Sequence, residues 1–312
     1  MKEVTVLGAG AAGLAFVNSF REKDSVSKIV LIEKNPYSFN RSDFISKFSL
    51  KNWLKLQDWV QGKNIELVCD SVERVNNKRR KIYFKQSQPK EFDILIVATG
   101  LTSRKISTKG GHREGFFYLS QIESFKARDL IKVSTEATVY VSTILGLRLA
   151  LSLHSLGKVV RIVGKTLDFL GEFKEEVINY LKEKNIPVYL DTFIEEAIGE
   201  GTVKAAKISP LKVFSSQLVF IDSGFLPNRN FFEEEVYPRD IFFTGYEGVY
   251  FLGDVNREAV EDEFFFSVNS QEAKEQGCIL ADYVLEGKVP VFQRKSIELE
   301  NRRKIIQELL SE

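Results

Sequence analysis

Residues 4 to 16 read VTVLGAGAAGLAF: a short apolar strand, a turn carrying three glycines, and an alanine-rich start to a helix. Gly8, Gly10 and Gly13 stand in the order G-x-G-x-x-G between the strand and the helix. In that place the first glycine makes the tight turn, the second lets the backbone approach a pyrophosphate, and the third lets helix and strand pack closely. The helix runs on to about Glu22, and a second apolar strand, KIVLIE, closes on Glu33. A carboxylate there accepts hydrogen bonds from both ribose hydroxyls of a dinucleotide, while the N–H groups at the helix start face its phosphates. Glycines alone are weak evidence. Strand, helix and acid in register predict a βαβ dinucleotide fold.

Farther along, IELVCDSVERV and KIYFKQ flank the polar turn NNKRR and predict a short antiparallel excursion. EFDILIVATG is apolar on both faces and ends in glycine, which predicts a return to a buried parallel sheet. The pattern then restarts with TVYVS, a helix ending near Gly157, VVRIVG, a helix around EEVINYLKEKN, and VYLDTFI. LVFIDSG closes this second unit as ILIVATG closes the first. The implied fold is α/β, with two Rossmann-type domains of which the first is discontinuous and carries the antiparallel excursion. The expected boundaries are 1–106 with 232–290, then 107–231, then a helical tail over 291–312.

The opening fingerprint is common to NAD and FAD sites, and later motifs separate them. ATG at Ala98 to Gly100, GD at Gly253 and Asp254, and SQEAKEQG at the head of a helix follow in order. DSGFLPN, Asp222 to Asn228, matches a second ATG-like strand with a Pro-Asn turn. Together these resemble the FAD-binding family of pyridine nucleotide-disulfide oxidoreductases. NRSDFISK, Asn40 to Lys47, resembles a stretch of its ferredoxin-reductase-like and apoptosis-inducing-factor-like branch, with serine at position 42 where proline is usual.

The resemblance implies an FAD-dependent oxidoreductase that moves electrons between NAD(P)H or another donor and a redox protein of ferredoxin or rubredoxin type, or a small acceptor. It implies that Asp254 holds the ribityl chain, that the helix beginning near Ser267 points its positive end at the flavin, and that Lys47 biases the flavin electronically and is the one catalytic side chain. The cofactor-binding set it carries over is Gly8, Gly10, Ala12, Gly13, Glu33, Lys34, Arg41, Lys47, Val72, Ala98, Thr99, Gly100, Gly253, Asp254 and Ala273. Members usually add a C-terminal interface domain, whereas about 22 residues follow Pro290 here, so the flavin face is expected to be open or covered by a partner subunit or a second copy. Two other readings stand beside this one: a type-II NADH:quinone-like dehydrogenase, and a non-enzymatic flavoprotein subunit.

VYVSTILGLRLA, residues 139 to 150, departs from that family. With Gly146 as the third glycine of a second fingerprint, Val141 and Thr143 occupy the first two positions, where a β-branched residue forced into a glycine conformation costs ~1–3 kcal/mol. Thr143 or Ser142 is placed to cap the helix itself. Gly164 and Lys165 replace the acid after the next strand, and Arg148 replaces a glutamate expected near the nicotinamide. These four departures predict weak or absent NAD(P)H binding; a working site in which Lys165 meets a 2′-phosphate is the alternative.

Other chemistries find little support. Cys69 and Cys278 share no CxxC or metal-ligand spacing and are expected to be buried free thiols, so disulfide and sulfenic acid chemistry lack a nucleophile and no metal site is expected. His112 and His154 have no triad partners at a recognisable spacing. Lys and Arg total 44 against 43 for Asp and Glu, which gives no excess charge to attract nucleic acid. No run approaches the ~18 apolar residues of a membrane span, and MKEVTVLGAG lacks a signal peptide, so the cytoplasm is the expected compartment.

Overall fold

The computed structural model describes residues 3–39, 44–45, 48, 53–122, 124–209, 212–239, 242–256, 269–292 and 299–311. The chain enters through β1 (Val4–Leu7), turns into α1 (Ala11–Lys23), and returns in β2 (Ile29–Ile32). A short α2 (Leu56–Val60) leads to β3 (Ile65–Val68), and β4 (Ile94–Val97) comes back beside β1. A second unit follows as β5 (Phe116–Tyr118), α3 (Phe125–Val133), β6 (Glu136–Tyr140), α4 (Ile144–Ser155) and β7 (Val159–Val163). It continues with α5 (Lys174–Glu183), β8 (Val188–Tyr189) and β9 (Leu218–Ile221). The chain then rejoins the first unit through β10 (Val249–Phe251) and α6 (Asn269–Glu286), and α7 (Leu299–Ser311) comes last.

Two five-stranded parallel sheets result, ordered β10-β4-β1-β2-β3 and β5-β9-β6-β7-β8. In each the strand order reverses at one place, between β1 and β4 and between β6 and β9. Connections leave that place in opposite directions, which opens a crevice at the carboxyl ends of the strands. All four residues of β1, β2 and β9 are buried, as strands covered on both faces require.

Alternate residues feed two core layers in each unit. Val4, Val6, Ile29, Leu31 and Ile96 pack with Phe16, Val17 and Phe20 of α1 and Leu280 and Ala281 of α6. Leu7, Val30, Ile32 and Val97 face Val75, Ile82 and Phe84 on the other side. Those last residues belong to a three-stranded antiparallel sheet formed by 72–76, 81–84 and 90–91. The predicted excursion is therefore present, but IELV is not part of it: β3 hydrogen-bonds to β2 in the parallel sheet, with Ile65 opposite Ile29. A four-residue apolar run has no signature of strand direction, and its partner decides it. The second unit carries an antiparallel sheet of its own, 194–198 with 205–208 and 212–215, that the sequence pattern did not predict.

The units are joined by a two-stranded antiparallel ribbon in which Leu101 to Ser103 pairs with Phe225 to Pro227. The Thr99 hydroxyl donates to the Asn228 carbonyl at 2.6 Å, and the Asn228 N–H donates to the Gly100 carbonyl at 2.9 Å. The Pro-Asn turn thus locks the two glycine-ended strands together. The charged helix α7 buries Ile305, Ile306 and Leu309 among Leu167, Leu170, Phe173, Val177 and Leu181, so it packs on its own chain.

α6 ends where the sequence predicts: Gly287, at φ +68°, donates its N–H to the Tyr283 carbonyl at 2.8 Å. Its packing on α1 is close. A Cβ on Gly277 would lie 2.7 Å from both the Ala12 carbonyl oxygen and the Phe16 nitrogen. Both obstacles are backbone, so neither can rotate away. Gly277→Ala is expected to push the helices apart and cost about 1–3 kcal/mol, read as a lower Tm and denaturant midpoint; an unchanged midpoint would contradict this account of the helix contact.

Candidate functional site

The first glycine turn lies at the crevice of the first sheet. Gly8 adopts φ +101°, and a Cβ there would lie 2.4 Å from the Ala98 carbonyl oxygen. On Gly13 it would lie 2.1 Å from the Gly8 carbonyl oxygen and 3.3 Å from the Ala98 side chain. These two glycines are fold glycines. Gly10 differs: its φ is −75°, which any residue adopts, and nothing lies within 4 Å of a Cβ built on it. It is also the residue before α1, and no side chain among the described residues caps that helix. The empty space and the uncapped N–H groups form a cradle that suits a pyrophosphate.

Glu33, half-buried at the end of β2, accepts the Ala9 N–H at 3.0 Å through Oε2 and the Asn35 N–H at 3.1 Å through Oε1. This holds a carboxylate at the rim of the turn. Ser38 donates its hydroxyl to the Ala9 carbonyl, tying the next segment to the same spot. From the far side comes Gly253, whose N–H donates to Oε1 of the buried Gln276 at 2.9 Å, while a Cβ there would meet the Ala12 side chain at 3.1 Å. Half-buried Asp254 follows directly, on a short 3₁₀ turn of Gly253–Asn256.

The structure therefore gathers Gly8, Gly10, Ala12, Gly13, Glu33, Ala98, Thr99, Gly100, Gly253 and Asp254 at the carboxyl ends of β1, β2, β4 and β10. Ala273 packs in the α1 and α6 core layer beside Ala12. Val72 is half-buried on the opposite face of the sheet, and Lys34 is exposed just beyond Glu33. Arg41, Lys47 and Ser267 lie outside the described residues. The donor set and open cradle fit FAD at its pyrophosphate and ribose.

Neither cysteine is buried, contrary to expectation; both are exposed. Cys69 directly follows β3, which pairs with the strand that Glu33 ends, and Cys278 sits on the outer side of α6. Partial desolvation, then the nearby charge of Glu33, push the Cys69 thiol above its ordinary pKa. It stays protonated at neutral pH and is a poor nucleophile. Among the described residues no group of three or more His, Cys, Asp or Glu side chains could hold a metal, and no helix is long and apolar enough to cross a membrane.

Three backbone hydrogen bonds around the second turn match those around the first, which fixes the equivalences. Val141 donates to the Val163 carbonyl as Gly8 does to Ile32, Gly164 to Tyr189 as Glu33 does to Val68, and Asp222 to Tyr140 as Ala98 does to Leu7. Thr143 stands where Gly10 is. It takes an extended conformation, φ −138° and ψ 166°, and Val141 is not left-handed, so the turn follows the different path that its β-branched residues require. Thr143 Oγ1 accepts the N–H groups of Leu145 at 3.2 Å and Gly146 at 3.4 Å, so α4 is capped by its own chain. Gly164 replaces the acid for a steric reason: a Cβ there would lie 2.9 Å from the Val141 carbonyl oxygen.

One residue of this turn was not singled out by sequence reasoning. Asp222, 1% exposed, extends from the end of β9 into the turn. Its Oδ2 accepts the Ser142 N–H at 3.1 Å, the Thr143 N–H at 2.7 Å and the Thr143 hydroxyl at 2.9 Å. Ser142 Oγ donates in return to the Asp222 carbonyl. A Cβ on Gly146 would lie 2.2 Å from Oδ2, so the third glycine is retained to admit this carboxylate. The signal was an aspartate in IDSG where the first unit has VATG. Arg148, 9% exposed, lies one turn into α4, and Lys165 is exposed after Gly164.

Two glycine turns at the switch points of two parallel sheets, joined by a paired ribbon, define a two-domain dinucleotide-binding flavoprotein. Residues 2–274 match the family model described as pyridine nucleotide-disulphide oxidoreductase, and the chain belongs to that family. Among curated relatives, an NADH oxidase of Methanocaldococcus jannaschii is 26% identical over 72% of this chain and 54% of its own. The ferredoxin–NAD(+) reductase component of a p-cumate 2,3-dioxygenase system from Pseudomonas putida is 20% identical over 75% of this chain and 60% of its own. The chain thus covers little more than half the length of these relatives. An NAD-dependent persulfide reductase from A. fulgidus shares the fold, with a TM-score of 0.78 at 20% identity over 92% of this chain and 60% of its own. The expectation of weak or absent NAD(P)H binding is not borne out, since the family and these relatives are all named for pyridine nucleotides.

Burial raises the Asp222 pKa to about 6, against the lowering pull of the hydrogen bonds from Ser142 and Thr143. Its folded pKa lies above the ~3.9 of an unfolded aspartate, so the fold prefers the neutral acid. The stability this contributes is full below ~3.9 and lost as pH rises through about 6. Asp222→Asn, which keeps the neutral shape, is expected to be more stable than the parent by roughly 3 kcal/mol at pH 8, with the gap closing as pH falls towards 4. Denaturant midpoints at pH 8, 6 and 4 check this.

Proposed function

We propose that the chain is an FAD-dependent oxidoreductase that carries electrons between a reduced nicotinamide nucleotide and a redox protein or small acceptor, without a redox-active disulfide. The observation that carries the reading is the contrast at Gly10: a position whose conformation and surroundings tolerate any small side chain holds a glycine, in front of a helix that nothing caps. A ligand that occupies the open space and uses the helix-start N–H groups accounts for that choice. A bound flavin supplies the electron chemistry, taking hydride and releasing electrons in pairs or singly.

The chain's own residues supply the setting. The Gly10 turn and the start of α1 hold the pyrophosphate, and Glu33, kept in place by Ala9, takes the ribose hydroxyls. Asp254 would hold the ribityl chain, and the N-terminal end of α6 would favour negative charge on a bound ring. Residues 1–106 with 232–290 serve as the FAD unit, 107–231 as the nucleotide unit and 291–312 as the tail. The exposed cysteines, one of them held as a thiol, take no part. Relatives named ferredoxin–NAD(+) and rubredoxin–NAD(+) reductases support a redox protein of ferredoxin or rubredoxin type as acceptor.

The visible spectrum of the purified protein tests the reading. A flavin absorbance, bleached anaerobically by NADH or NADPH and restored by an artificial acceptor, is expected; a preparation that stays colourless after reconstitution with FAD overturns it. Gly10→Ala separates fold from ligand. Its stability is expected to stay within about 0.5 kcal/mol of the parent, while FAD affinity falls roughly tenfold to a hundredfold. The double substitution Cys69→Ser with Cys278→Ser is expected to leave turnover with an artificial acceptor unchanged; its loss would mean that a thiol carries electrons.

A further inference from the structure

The two turns use a carboxylate for one shared purpose and differ in where it comes from. In the first, Glu33 reaches in from the end of β2 and, besides the Asn35 N–H beside it, takes the Ala9 N–H of the turn, which leaves the Gly10 N–H and the start of α1 for a ligand. In the second, Asp222 reaches in from the end of β9 and takes the equivalent Ser142 N–H and also the Thr143 N–H, the counterpart of Gly10. The Thr143 hydroxyl then accepts the Leu145 and Gly146 amides of α4. The carboxylate now comes from the other side of the turn and occupies the Thr143 N–H, the counterpart of a donor that the first turn leaves for a pyrophosphate.

The fold does not require an acid here. Ala98 fills the same position in the first unit with a methyl group, packed against Gly13 as Asp222 is against Gly146. The Asp222 carboxylate is also costly, being fully buried with its Ser142 and Thr143 donors all on Oδ2. At pH 7.5, above its pKa of about 6, it carries its charge. Tyr140, the last residue of β6, registers that charge: its hydroxyl is held above the ordinary tyrosine pKa by burial and then by Asp222.

We propose that Asp222 sets the affinity of the second domain for nicotinamide nucleotides: its carboxylate holds the turn amides, and a nucleotide pyrophosphate docks beside α4 only against that fixed negative charge. The inference rests on the reading of residues 107–231 as the nucleotide unit. Asp222 is a positioning and affinity-determining residue and touches no reacting atom. Its effect belongs to the phosphates of the donor and not to the nicotinamide ring.

The test uses the FAD-loaded protein and its Asp222→Asn variant, with NADH, NADPH and reduced nicotinamide riboside, which carries no phosphate, as donors. Removing one buried charge a few ångströms from a pyrophosphate is expected to lower Kd and KM for both nucleotides roughly tenfold or more. The affinity for the riboside should not change, and kcat should move less than KM. Asp222→Ala, which copies the alanine of the first turn, supplies the same comparison if the asparagine variant does not fold. An acid with a purely structural role would shift Tm and leave the ratio of NADH to riboside affinity where it was; that result, in a variant still reduced by NADH, overturns the inference alone. If dithionite reduces the flavin but neither nucleotide does so in parent or variant, the nucleotide reading of the second domain falls and takes the inference with it.

Discussion

The first turn of a helix exposes N–H groups that its own backbone cannot satisfy, and whatever satisfies them at a strand-to-helix turn decides what that turn is for. This chain solves the problem twice on one scaffold. α1 starts at Gly10 with no side chain across it, so its field and donors remain available to an anion. α4 starts at Thr143, whose hydroxyl and neighbouring amides are already engaged, partly by a carboxylate from another strand. Two helices in equivalent places thus share one electrostatic demand, met in the second by the chain itself and left open in the first.

That contrast depends on close packing around the turns. Gly8 and Gly13 let the Ala98 backbone and methyl group close the first crevice from below, and Gly277 lets α6 press against α1 so that the Gly253 turn comes within reach of Ala12. In the second unit Gly146 serves a different neighbour, since the space released by its missing Cβ is filled by Asp222. A glycine in the third position of such a motif therefore reports a close approach without saying what approaches.

The binding of the two units has a similar economy. The strands that end in ATG and DSG continue into one antiparallel ribbon, and Thr99, drawn from the first motif, bonds to Asn228 beyond the second. A residue expected to serve the cofactor thus also fastens the two units. α7 adds a further constraint, because its apolar face closes over Leu167 to Phe173, the segment that follows Gly164 and Lys165.

The first site was legible because its parts are local: strand, turn, helix and acid lie within residues 4 to 33, and each residue's reason is given by its neighbours along the chain. The self-capping of α4 by Thr143 and the stop at Gly287 were legible for the same reason. Which strand IELV would join, the second antiparallel sheet and the exposure of both cysteines were not, since they depend on partners brought from elsewhere in the chain. Asp222 shows the limit most sharply. It lies 79 residues from Thr143 in sequence, and only the parallel pairing of β9 with β6 brings its carboxylate under the turn. The sequence by itself determined the fold class and the first cradle, because periodicity and glycine spacing act over a few residues; the tertiary structure decided what fills the second, because a buried charge has meaning only through the donors that surround it.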